Sequence, residues 1–311
     1  MCYNWHRYYA WSEVYMQINI GFGVNDGYVQ HLGVLMTSIL YNSSLEDDYT
    51  FYIVSDYISD ENKAKFEELK NLRPFELKYI DVDVNEYESL KNSGHLGAST
   101  YFRYQLFKLE EIDKILYLDA DMICRKDIRE LFEIDLGSNL IGGAEDVLSK
   151  TNKKKWGLNC TATYINAGMI LINLNKTRDI DLFKLSTTEI PLALKNLGFN
   201  DQDMINYIFQ DQISLIDIKW NYCYPFGMEY DDREYYLACS KDPSLIHWIS
   251  WLKPWTPGLR NAHMKEEYFK YLKMSPWNNP DWFIDYIIEG NAQILENIRL
   301  IHEKLDIKSK R

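Results

Sequence analysis

Two hydrophobic periods alternate along the first part of this chain. Residues 17–22 alternate between apolar and polar positions, which predicts a β-strand. Leu32, Leu35, Met36 and Ile39 then recur at helical spacing and predict an amphipathic helix. Strand-like and helix-like patterns continue to alternate downstream. They predict strands at 51–55, 75–82 and 114–118, a helix through Phe66 and Leu69, and a further helix at 100–109.

Strands that alternate with helices predict an α/β fold, with a mostly parallel, Rossmann-like sheet and helices on both faces. In such sheets ligands bind at the carboxyl ends of the strands. The second half of the chain is less regular, and we interpret it as a strand at 167–174, a helix start at 203–209, a loop at 225–240 and helix beyond Pro254, interrupted at 275–280. We expect a main domain over residues 16–265, between an N-terminal extension (1–15) and a helical C-terminal tail (266–311).

Composition and charge limit the kinds of partner that the chain is expected to bind. Its 311 residues include 46 acidic and 34 basic side chains, a formal net charge of -12, which argues against nucleic acid as the main partner. A phosphate-bearing substrate would therefore need a local group of positive charge. The 24 tyrosines and 9 tryptophans suit stacking on bases and sugar rings, although most such rings serve the core.

Cysteine usage and hydropathy favour a cytoplasmic location. The cysteines are widely spaced and include no CxxC pair, so neither a disulfide framework nor a zinc site is predicted. They are Cys2, Cys124, Cys160, Cys223 and Cys239. No apolar run in the sequence approaches the length of a membrane span. We therefore expect a protein of the reducing cytosol.

The strongest local signal for chemistry is the segment Leu116-Tyr117-Leu118-Asp119-Ala120-Asp121. An apolar strand here delivers two carboxylates to the ligand-binding edge of the sheet, and a bend at Ala120 would let both reach one divalent cation. Carboxylate oxygens suit Mg2+ or Mn2+, and such an ion would neutralise a diphosphate leaving group. Two solvated carboxylates in a loop are the alternative, because the triplet alone is a weak signal.

A second function class uses the same acidic pair. Haloacid-dehalogenase-like phosphatases also carry Asp-x-Asp after an apolar strand, so Asp119 and Asp121 fit a phosphatase or a nucleotidyltransferase as well. Those phosphatases usually have Thr or Val two residues beyond the second Asp, where this chain has Ile123, and their motif usually lies on the first strand. Because several predicted strands precede Asp119, this alternative is the weaker one.

Three further segments combine polar side chains with the ends of predicted elements. His247 and Lys253 suit a metal ligand and a phosphate contact, although an aromatic core loop with a hydrogen-bonded histidine is the usual explanation for an isolated His. Asn166 offers an amide to sugar hydroxyls before a predicted strand, and Gly168 would permit close approach of the backbone, unless the segment is only a turn. The segment Asn200-Asp201-Gln202-Asp203 stands at a helix start, where capping alone would explain it.

Taken together, these segments resemble family 8 of the retaining glycosyltransferases, in particular the bacterial lipopolysaccharide galactosyl- and glucosyltransferases and, more distantly, glycogenin. The resemblance runs from about Met16 to about Trp255, which is most of the chain. Order and spacing both agree over five segments. These are Phe22-Gly23-Val24-Asn25-Asp26-Gly27-Tyr28, Tyr117-Leu118-Asp119-Ala120-Asp121, Asn166-Ala167-Gly168, Asp201-Gln202-Asp203 and His247…Lys253-Pro254-Trp255.

The resemblance implies a GT-A fold for residues 16–265 and a role for each candidate site residue. The nucleotide, its diphosphate and the donor sugar would be contacted by Gly23, Asn25, Tyr28, Arg103, Asp119, Ala120 and Lys253, with Tyr28 stacked on uracil. Mn2+ or Mg2+ would be bound by Asp119, Asp121 and His247. The transferred sugar would be surrounded by the catalytic candidates Asp146, Asn166, Asp201 and Gln202.

Two positions depart from the family pattern implied by the resemblance. Ser250 stands where a glycine is frequent three residues after the metal histidine. Gly27 stands in the uracil loop where a polar residue is frequent. Both changes concern details of donor binding rather than the class of reaction.

The implied reaction transfers a hexose, glucose or galactose, from a UDP-sugar with retention of configuration. Retention arises by double displacement or by attack from the face of the leaving group. The position that would carry a nucleophile holds Gln202, an amide and a poor nucleophile, so we favour same-face attack. Asp201 and Asp146 remain alternative nucleophiles.

The acceptor is expected to be a glycan or a lipid-linked or protein-linked glycoconjugate. The sequence does not identify it further, since acceptor pockets are built from variable loops, here expected at 147–160 and 228–239. A catalytically silent sugar-binding or scaffold protein is a third function class. The intact metal and phosphate set argues against that class.

The two ends of the chain carry separate predictions. Residues 1–15 precede the first strand and have no counterpart in the resemblance, so we expect them to be dispensable. The tail carries an apolar-aromatic group, which consists of Trp282, Phe283, Tyr286, Ile287 and Ile288. Its end is basic, but acidic residues between Asp281 and Glu303 oppose an anionic surface. We therefore expect packing on the main domain, with at most weak peripheral contact at the inner face of the membrane.

Overall fold

The computed structural model of the chain describes residues 15–90, 97–159, 161–188, 201–224, 238–239, 241–249, 252–256, 262–279, 287–288, 290–292, 296 and 299. Its centre is a seven-stranded sheet with the order β3-β2-β1-β4-β7-β6-β8, beside a three-stranded sheet with the order β5-β10-β9. The strands are β1 (Gln17–Gly23), β2 (Asp48–Ser55), β3 (Glu76–Asp81), β4 (Lys114–Leu118), β5 (Met122–Cys124), β6 (Ile141–Ala144), β7 (Met169–Asn173), β8 (Ile213–Ile216), β9 (Tyr222–Tyr224) and β10 (Leu245–Trp248).

Helices separate most of these strands along the chain. The described α-helices are α1 (Val29–Asn42), α2 (Asp60–Glu68), α3 (Arg129–Phe132), α4 (Ser149–Trp156), α5 (Leu174–Thr177), α6 (Leu182–Thr188), α7 (Asp201–Phe209) and α8 (Ala262–Met274). The 3₁₀ helices are Asp26–Tyr28, Leu69–Asn71, Val84–Leu90, Ala98–Lys108 and Ile218–Asn221. This order of strands and helices confirms the predicted α/β class.

Apolar cores lie on both faces of the seven-stranded sheet. On β4, Leu116 and Leu118 join a core shared with α1, whereas Ile115 and Tyr117 join a core shared with the 3₁₀ helix Ala98–Lys108. Successive residues of a strand point to opposite faces, so one strand supplies both cores. Strands buried in this way appear as continuous apolar runs. For this reason β4 and much of β2 could be predicted from the sequence.

One strand of the seven runs against its neighbours. The pairs β1–β2, β2–β3, β1–β4 and β6–β8 are parallel, but β7 is antiparallel to both β4 and β6. The prediction of a mostly parallel sheet is therefore confirmed. Because β7 is reversed, its amino end lies beside the carboxyl end of β4, where the Asp119 N–H donates to the Gly168 carbonyl over 2.8 Å.

The three-stranded sheet joins two regions that are far apart in sequence. β10 is antiparallel to β5 and parallel to β9. β5 begins directly after Asp121, and His247 on β10 is paired with Met122. The Trp248 N–H also donates to the Asp121 carbonyl over 3.2 Å. The small sheet thus holds His247 next to the two aspartates that follow β4.

The C-terminal helix α8 crosses residue 265, the expected end of the main domain. Tyr268 and Tyr271 on this helix are buried in the core beside α1. Farther on, the ring of Trp277 lies against Gly33 of α1, where an added Cβ would stand 2.2 Å from a ring carbon. The chain as far as residue 279 therefore packs on α1, while the division of the chain at residues 15 and 265 stays a prediction.

Several local predictions differ from the structure. The helix expected at 100–109 is a 3₁₀ helix, and residues 147–160, expected to be loop, contain α4, which ends at Gly157 with φ +68°. The strand expected at 167–174 is shorter, at Met169–Asn173, so Asn166 to Gly168 form the turn before it. α7 begins at Asp201 instead of residue 203, which puts Asp201 and Gln202 in its first turn.

Other predictions fall on parts of the chain that the structure does not describe. They concern residues 1–14, most of the expected loop 225–240, Ser250, and Trp282, Phe283 and Tyr286 of the tail. Ile287 and Ile288 are described and are 59% exposed. Within the described ranges, no helix has both the length and the apolar character needed to cross a membrane.

Candidate active site

An open cleft of about 660 Å³ lies at the carboxyl edge of the seven-stranded sheet. The ends of β1 and β4 and the turn before β7 contribute to it, as expected for this class of sheet. The predicted site residues that line it are Gly23, Asn25, Tyr28, Arg103, Asp119, Ala120, Asp121, Asn166, Asp201, Gln202, His247 and Lys253. Among the described residues, Asp146 is the one predicted site residue that does not line the cleft.

Asp119, Asp121 and His247 form a compact group of metal-ligand type. One ligand atom from each lies within 4.8 Å of the other two. His247 Nε2 stands 3.2 Å from Asp121 Oδ1 and 3.7 Å from Asp119 Oδ2. Ala120, between the aspartates, is buried at the bend from β4 to β5, so its small side chain lets the backbone turn while both carboxylates converge.

The two ring nitrogens of His247 face different neighbours. Nδ1 lies 2.9 Å from Oδ1 of Asn221, a residue with no exposed surface. Nε2 faces the two aspartates. A metal-binding histidine is usually fixed in this way by a hydrogen bond behind it.

Lys253 adds positive charge on the other side of Asp121. Its Nζ lies 2.5 Å from Asp121 Oδ2 and also donates to the Trp248 carbonyl. Burial of the Asp121 carboxyl would raise its pKa, but Lys253 and His247 outweigh burial and hold that pKa below its usual value. Asp121 is therefore ionised at neutral pH.

Arg103 supplies the second cation of the cleft. Its guanidinium lies 3.2 Å from Asp119 Oδ1 and 3.2 Å from Asp201 Oδ2, and it stacks over the Tyr117 ring at 4.4 Å. It also donates to the carbonyls of Thr100 and Ala167. The planar, always charged fork of arginine suits this position between two carboxylates and a ring. The acidic chain therefore does collect local positive charge here.

Asp201 is a buried carboxylate with a raised pKa and one oxygen that accepts no hydrogen bond from the described residues. Burial raises its pKa to about 6, against the opposing effect of Arg103. Its Oδ2 has no hydrogen bond from the described residues, although Arg103 Nε is near, because that N–H points to the Thr100 carbonyl. A buried acceptor without a donor is costly, so a donor from a bound molecule would be favourable there.

Gln202 and Asn166 meet beside Asp201. Gln202 Oε1 accepts from the Ala167 N–H over 3.0 Å and from Asn166 Nδ2 over 3.2 Å, while its Nε2 donates to Asp146 Oδ2 over 3.2 Å. Asn166 Nδ2 donates to the same Asp146 oxygen over 3.0 Å. Asp146 thus acts from behind the two amides, with its Oδ1 accepting from the Leu148 N–H.

The predicted base side of the cleft is aromatic. Tyr28 is 36% exposed and meets His31 and Trp255 edge-on, at ring-centroid distances of 5.0 and 5.9 Å. His31 stacks on Trp255 at 3.5 Å, and burial lowers its pKa to about 3, so it is neutral. Asp26 anchors the preceding loop, since its Oδ1 accepts from the Ser59 N–H and from Asn62.

The family of the chain follows from its sequence and this geometry together. The sequence model described as glycosyl transferase family 8 matches residues 19–257. The chain belongs to glycosyltransferase family 8. Its fold agrees: the galactosyltransferase LgtC, solved in complex with donor and acceptor sugar analogs, superposes with a TM-score of 0.73 at 25% identity, covering 85% of this chain and 99% of that one.

Several relatives match the chain over most of their own length. A lipopolysaccharide 1,2-glucosyltransferase of Escherichia coli is 28% identical over 276 residues, 84% of this chain and 79% of the relative. A lipopolysaccharide 1,3-galactosyltransferase of Salmonella typhimurium is 26% identical over 85% of this chain and 80% of its own length. General stress protein A of Bacillus subtilis is 26% identical over 82% of this chain and 92% of its own length.

Family membership makes the chain a glycosyltransferase with a GT-A fold, so the phosphatase and nucleotidyltransferase alternatives are set aside. The five matching segments converge on one cleft, and the family resemblance noted in the sequence is confirmed. What each residue does there stays a prediction.

Sequence reasoning missed two residues that shape this family 8 site. Asn221 contacts His247 Nδ1 but ends the short 3₁₀ helix Ile218–Asn221, with no motif to mark it. Tyr117 donates to Asp119 and supports Arg103, but in the sequence it reads as one more apolar strand residue. Gly168 was expected to allow close backbone approach, and the neighbour is His247, since an added Cβ would lie 2.3 Å from its Cε1.

Proposed function

We propose that this family 8 enzyme transfers a hexose, glucose or galactose, from a UDP-sugar to a glycan or glycoconjugate acceptor, with retention. The observation that carries the proposal is the meeting of Asp119, Asp121 and His247 with two cations, Lys253 and Arg103, in one cleft. Carboxylates and imidazole suit a divalent ion, while lysine and arginine suit phosphates.

The donor set fits Mn2+ or Mg2+. Two carboxylates and the lone pair of His247 Nε2 offer hard and borderline ligands within 4.8 Å of one another. When bound, the ion would supply electrostatic stabilisation of the departing diphosphate. Asn221 lies against the other ring nitrogen of His247, and Gly168 leaves the space that a side chain would take from the imidazole.

The nucleotide is proposed to bind along the cleft from the aromatic side to the charged side. Tyr28 presents a half-exposed ring to the base, and Asn25 lies at the end of the same loop. Lys253 Nζ, beside Asp121, is within reach of a diphosphate held at the metal group. The Arg103 guanidinium completes the positive charge that the acidic chain must supply locally.

Attack from the same face as the leaving group is the proposed route to retention. Gln202 lines the cleft where a nucleophile would stand, and its amide oxygen already accepts two hydrogen bonds. Asp146 is behind the amides, with both oxygens engaged, which argues against it as the nucleophile. Asp201 keeps an oxygen without a hydrogen bond from the described residues and is the remaining carboxylate candidate.

The acceptor class rests on the relatives. Two of them are named for transferring glucose or galactose in lipopolysaccharide, and LgtC is a galactosyltransferase. We infer that the acceptor is a hydroxyl of a glycan, lipid-linked or protein-linked. Between glucose and galactose the described contacts give no preference, because Asn166, Asp201 and Gln202 offer polar groups to either sugar.

Release of UDP from UDP-glucose and UDP-galactose, with and without mixed glycan acceptors, tests the proposal. EDTA should abolish release and Mn2+ should restore it. Asp121→Asn should lower turnover by roughly a hundredfold or more, because it removes a charge that acts on the developing diphosphate. Asp48→Asn, the same change at an exposed position at the amino end of β2, is the matched control.

Three outcomes of this experiment separate the alternatives. Inorganic phosphate in place of UDP would support the phosphatase reading of the aspartate pair. Full activity in EDTA would contradict the proposed metal role but not the proposed transfer from a UDP-sugar. A loss in Asp48→Asn equal to that in Asp121→Asn would mean that charge in general, and not the cleft, governs turnover.

We also propose that the enzyme works in the cytoplasm, with residues 1–15 dispensable and the tail packed on the catalytic domain. The packing of α8 and Trp277 on α1 supports this for the first part of the tail. Flotation with anionic liposomes should leave most of the protein unbound. Salt-resistant binding that disappears when residues after 279 are deleted would instead identify a membrane anchor.

A further inference from the structure

A run of four buried side chains connects the sugar side of the cleft to the metal group. Asn166 Nδ2 donates to Asp146 Oδ2 over 3.0 Å, and Asn221 Nδ2 donates to Asn166 Oδ1 over 3.0 Å. His247 Nδ1 lies 2.9 Å from Asn221 Oδ1 at the end of the run. All four residues are at most 6% exposed, so water has little access to replace any of these bonds.

The direction of this run is fixed by its ends. Asp146 accepts at both of its oxygens, so each amide in turn points its NH2 group towards Asp146 and its oxygen towards His247. A backbone group gives an independent reading of the same direction, because the Gly168 N–H donates to Asn166 Oδ1 over 3.1 Å. With Asn166 oriented this way, Asn221 must offer its oxygen to His247.

We propose that Asn221, with Asp146 as its distant anchor, is a positioning residue that keeps His247 in the Nδ1–H tautomer. His247 Nε2 then presents its lone pair to the space beside Asp119 and Asp121. The inference rests on the metal role in the proposed function. It also connects the two halves of the site, since the amides that face the sugar set the ligand that faces the diphosphate.

The alternative tautomer shows what depends on this contact. A proton on Nε2 would point at two carboxylates and leave no lone pair for a cation. The Asn221 oxygen would then face the bare Nδ1 lone pair in a buried space, which is unfavourable for both. Changes to residues behind a metal-binding histidine typically weaken metal binding by about 10- to 100-fold.

Mn2+ binding without nucleotide, measured by electron paramagnetic resonance, separates positioning from general packing. Asn221→Leu keeps similar volume and removes the acceptor, so the dissociation constant should rise by about 10- to 100-fold. Asn221→Asp keeps an acceptor for His247, so it should weaken Mn2+ binding less than Asn221→Leu does. It loses the donor to Asn166, so the KM for donor sugar should rise or turnover should fall.

The control variant is Asn42→Leu. Asn42 donates to the Cys124 carbonyl and to Tyr271 on the α1–α8 side of the domain, so it loses comparable hydrogen bonds without contact to the cleft. Its Mn2+ affinity should not change. Equal weakening in Asn42→Leu and Asn221→Leu would overturn the proposal, as would unchanged Mn2+ affinity in a folded Asn221→Leu variant.

A second measurement stands apart from metal binding. Nitrogen-15 shifts of His247 in the metal-free parent protein, assigned by comparison with His247→Asn, report which ring nitrogen carries the proton. A protonated Nδ1 is expected, and an Nδ1 without a proton would overturn the inference. Absence of Mn2+ binding by the parent with a protonated Nδ1 would overturn the metal role in the proposed function and leave the tautomer assignment standing.

Discussion

Two sides of the same cleft are held together by different interactions. The charged floor consists of Arg103, Asp119, Asp121, His247 and Lys253. Its side chains are linked by polar contacts of 2.5 to 3.7 Å. The aromatic wall consists of Tyr28, which lines the cleft, and of His31, Trp255 and Tyr268 packed behind it. Its ring centroids lie 3.5 to 5.9 Å apart. The floor depends on matched charges, whereas the wall depends on contact area.

This difference predicts unequal responses to substitution. In the floor, removal of one group leaves a partner buried and charged, and that cost exceeds the value of the contact itself. In the wall, removal of one ring loses its own area and edge contacts, while the remaining rings keep theirs. Substitutions in the floor should therefore have larger effects than substitutions in the wall.

The largest effect is expected at Arg103. Arg103→Met leaves Asp119 and Asp201 without their common cation, so the free energy of unfolding should fall by about 3–5 kcal/mol in urea titrations. Arg103→Lys should be intermediate, because lysine keeps the charge but cannot span both carboxylates. Arg299→Met is the control, since its ion pair with Glu296 is exposed and should contribute under about 1 kcal/mol. A comparable loss in both Met variants would remove the distinction between floor and surface.

The next effect concerns Asp201 and depends on pH. The pKa of Asp201 in the folded state is raised from 3.8 to about 6. The contribution of this one group to the free energy of unfolding is therefore fully present below pH 3.8 and declines as pH rises through about 6. Asp201→Asn lacks this decline. Its free energy of unfolding relative to the parent should therefore increase by about 2 kcal/mol between roughly pH 4 and pH 7. A relative stability that does not vary with pH would show that Asp201 is ionised with an ordinary pKa.

Tyr28 should show the largest effect in the aromatic wall. Stacking of a base on an aromatic ring is worth about 1–3 kcal/mol, so Tyr28→Ala should weaken UDP binding in calorimetry by roughly ten- to a hundredfold. Tyr57→Ala, at a 63% exposed position after β2, should leave UDP affinity unchanged. UDP affinity that survives Tyr28→Ala would place the base elsewhere.

His31 should show the smallest effect. Its pKa of about 3 keeps it neutral, so His31→Phe changes no charge at neutral pH and retains a ring against Trp255. The lost contact is the 2.7 Å hydrogen bond between Nδ1 and the Tyr268 hydroxyl, worth about 1 kcal/mol in unfolding experiments. UDP affinity should stay within about threefold, and a tenfold loss would mean that the hydrogen bond to Tyr268 matters more than ring contact.

The same contrast separates what the sequence could predict from what it could not. Strands buried on both faces, such as β4, appear as apolar runs, and Asp119 and Asp121 are marked because they follow one directly. The short strands β5, β9 and β10 gave no such run, so the pairing that brings His247 to Asp121 was invisible, although the family resemblance joined the two.

The sequence also could not predict which way the side chains of Asp146 and Asn221 face in the site. Asp146 was placed at the sugar by the resemblance, and only the coordinates put it behind Gln202 and Asn166. Asn221 belongs to no motif, and its value arises from a hydrogen bond to a histidine on another strand. Residues far apart in sequence are brought into contact by ladder pairing, and periodicity along one segment carries no record of that pairing.

The position of residues 166–168 beside Asp119 depends on the hydrogen-bond register between β4 and the reversed strand β7. Residues 166–168 belong to the turn before β7, and the pairing of Leu118 with Met169 sets them beside Asp119. Side chains alternate faces along a ladder, so a slip of one residue between β4 and β7 would move Asn166 away from Asp146 and Asn221 while leaving both strands apolar and paired. Such a slipped molecule would keep its cores and its composition and would lose the alignment of the Asn166 amide with the carboxylates of Asp119 and Asp121. The five residue pairs of this one ladder therefore set the distance between these groups.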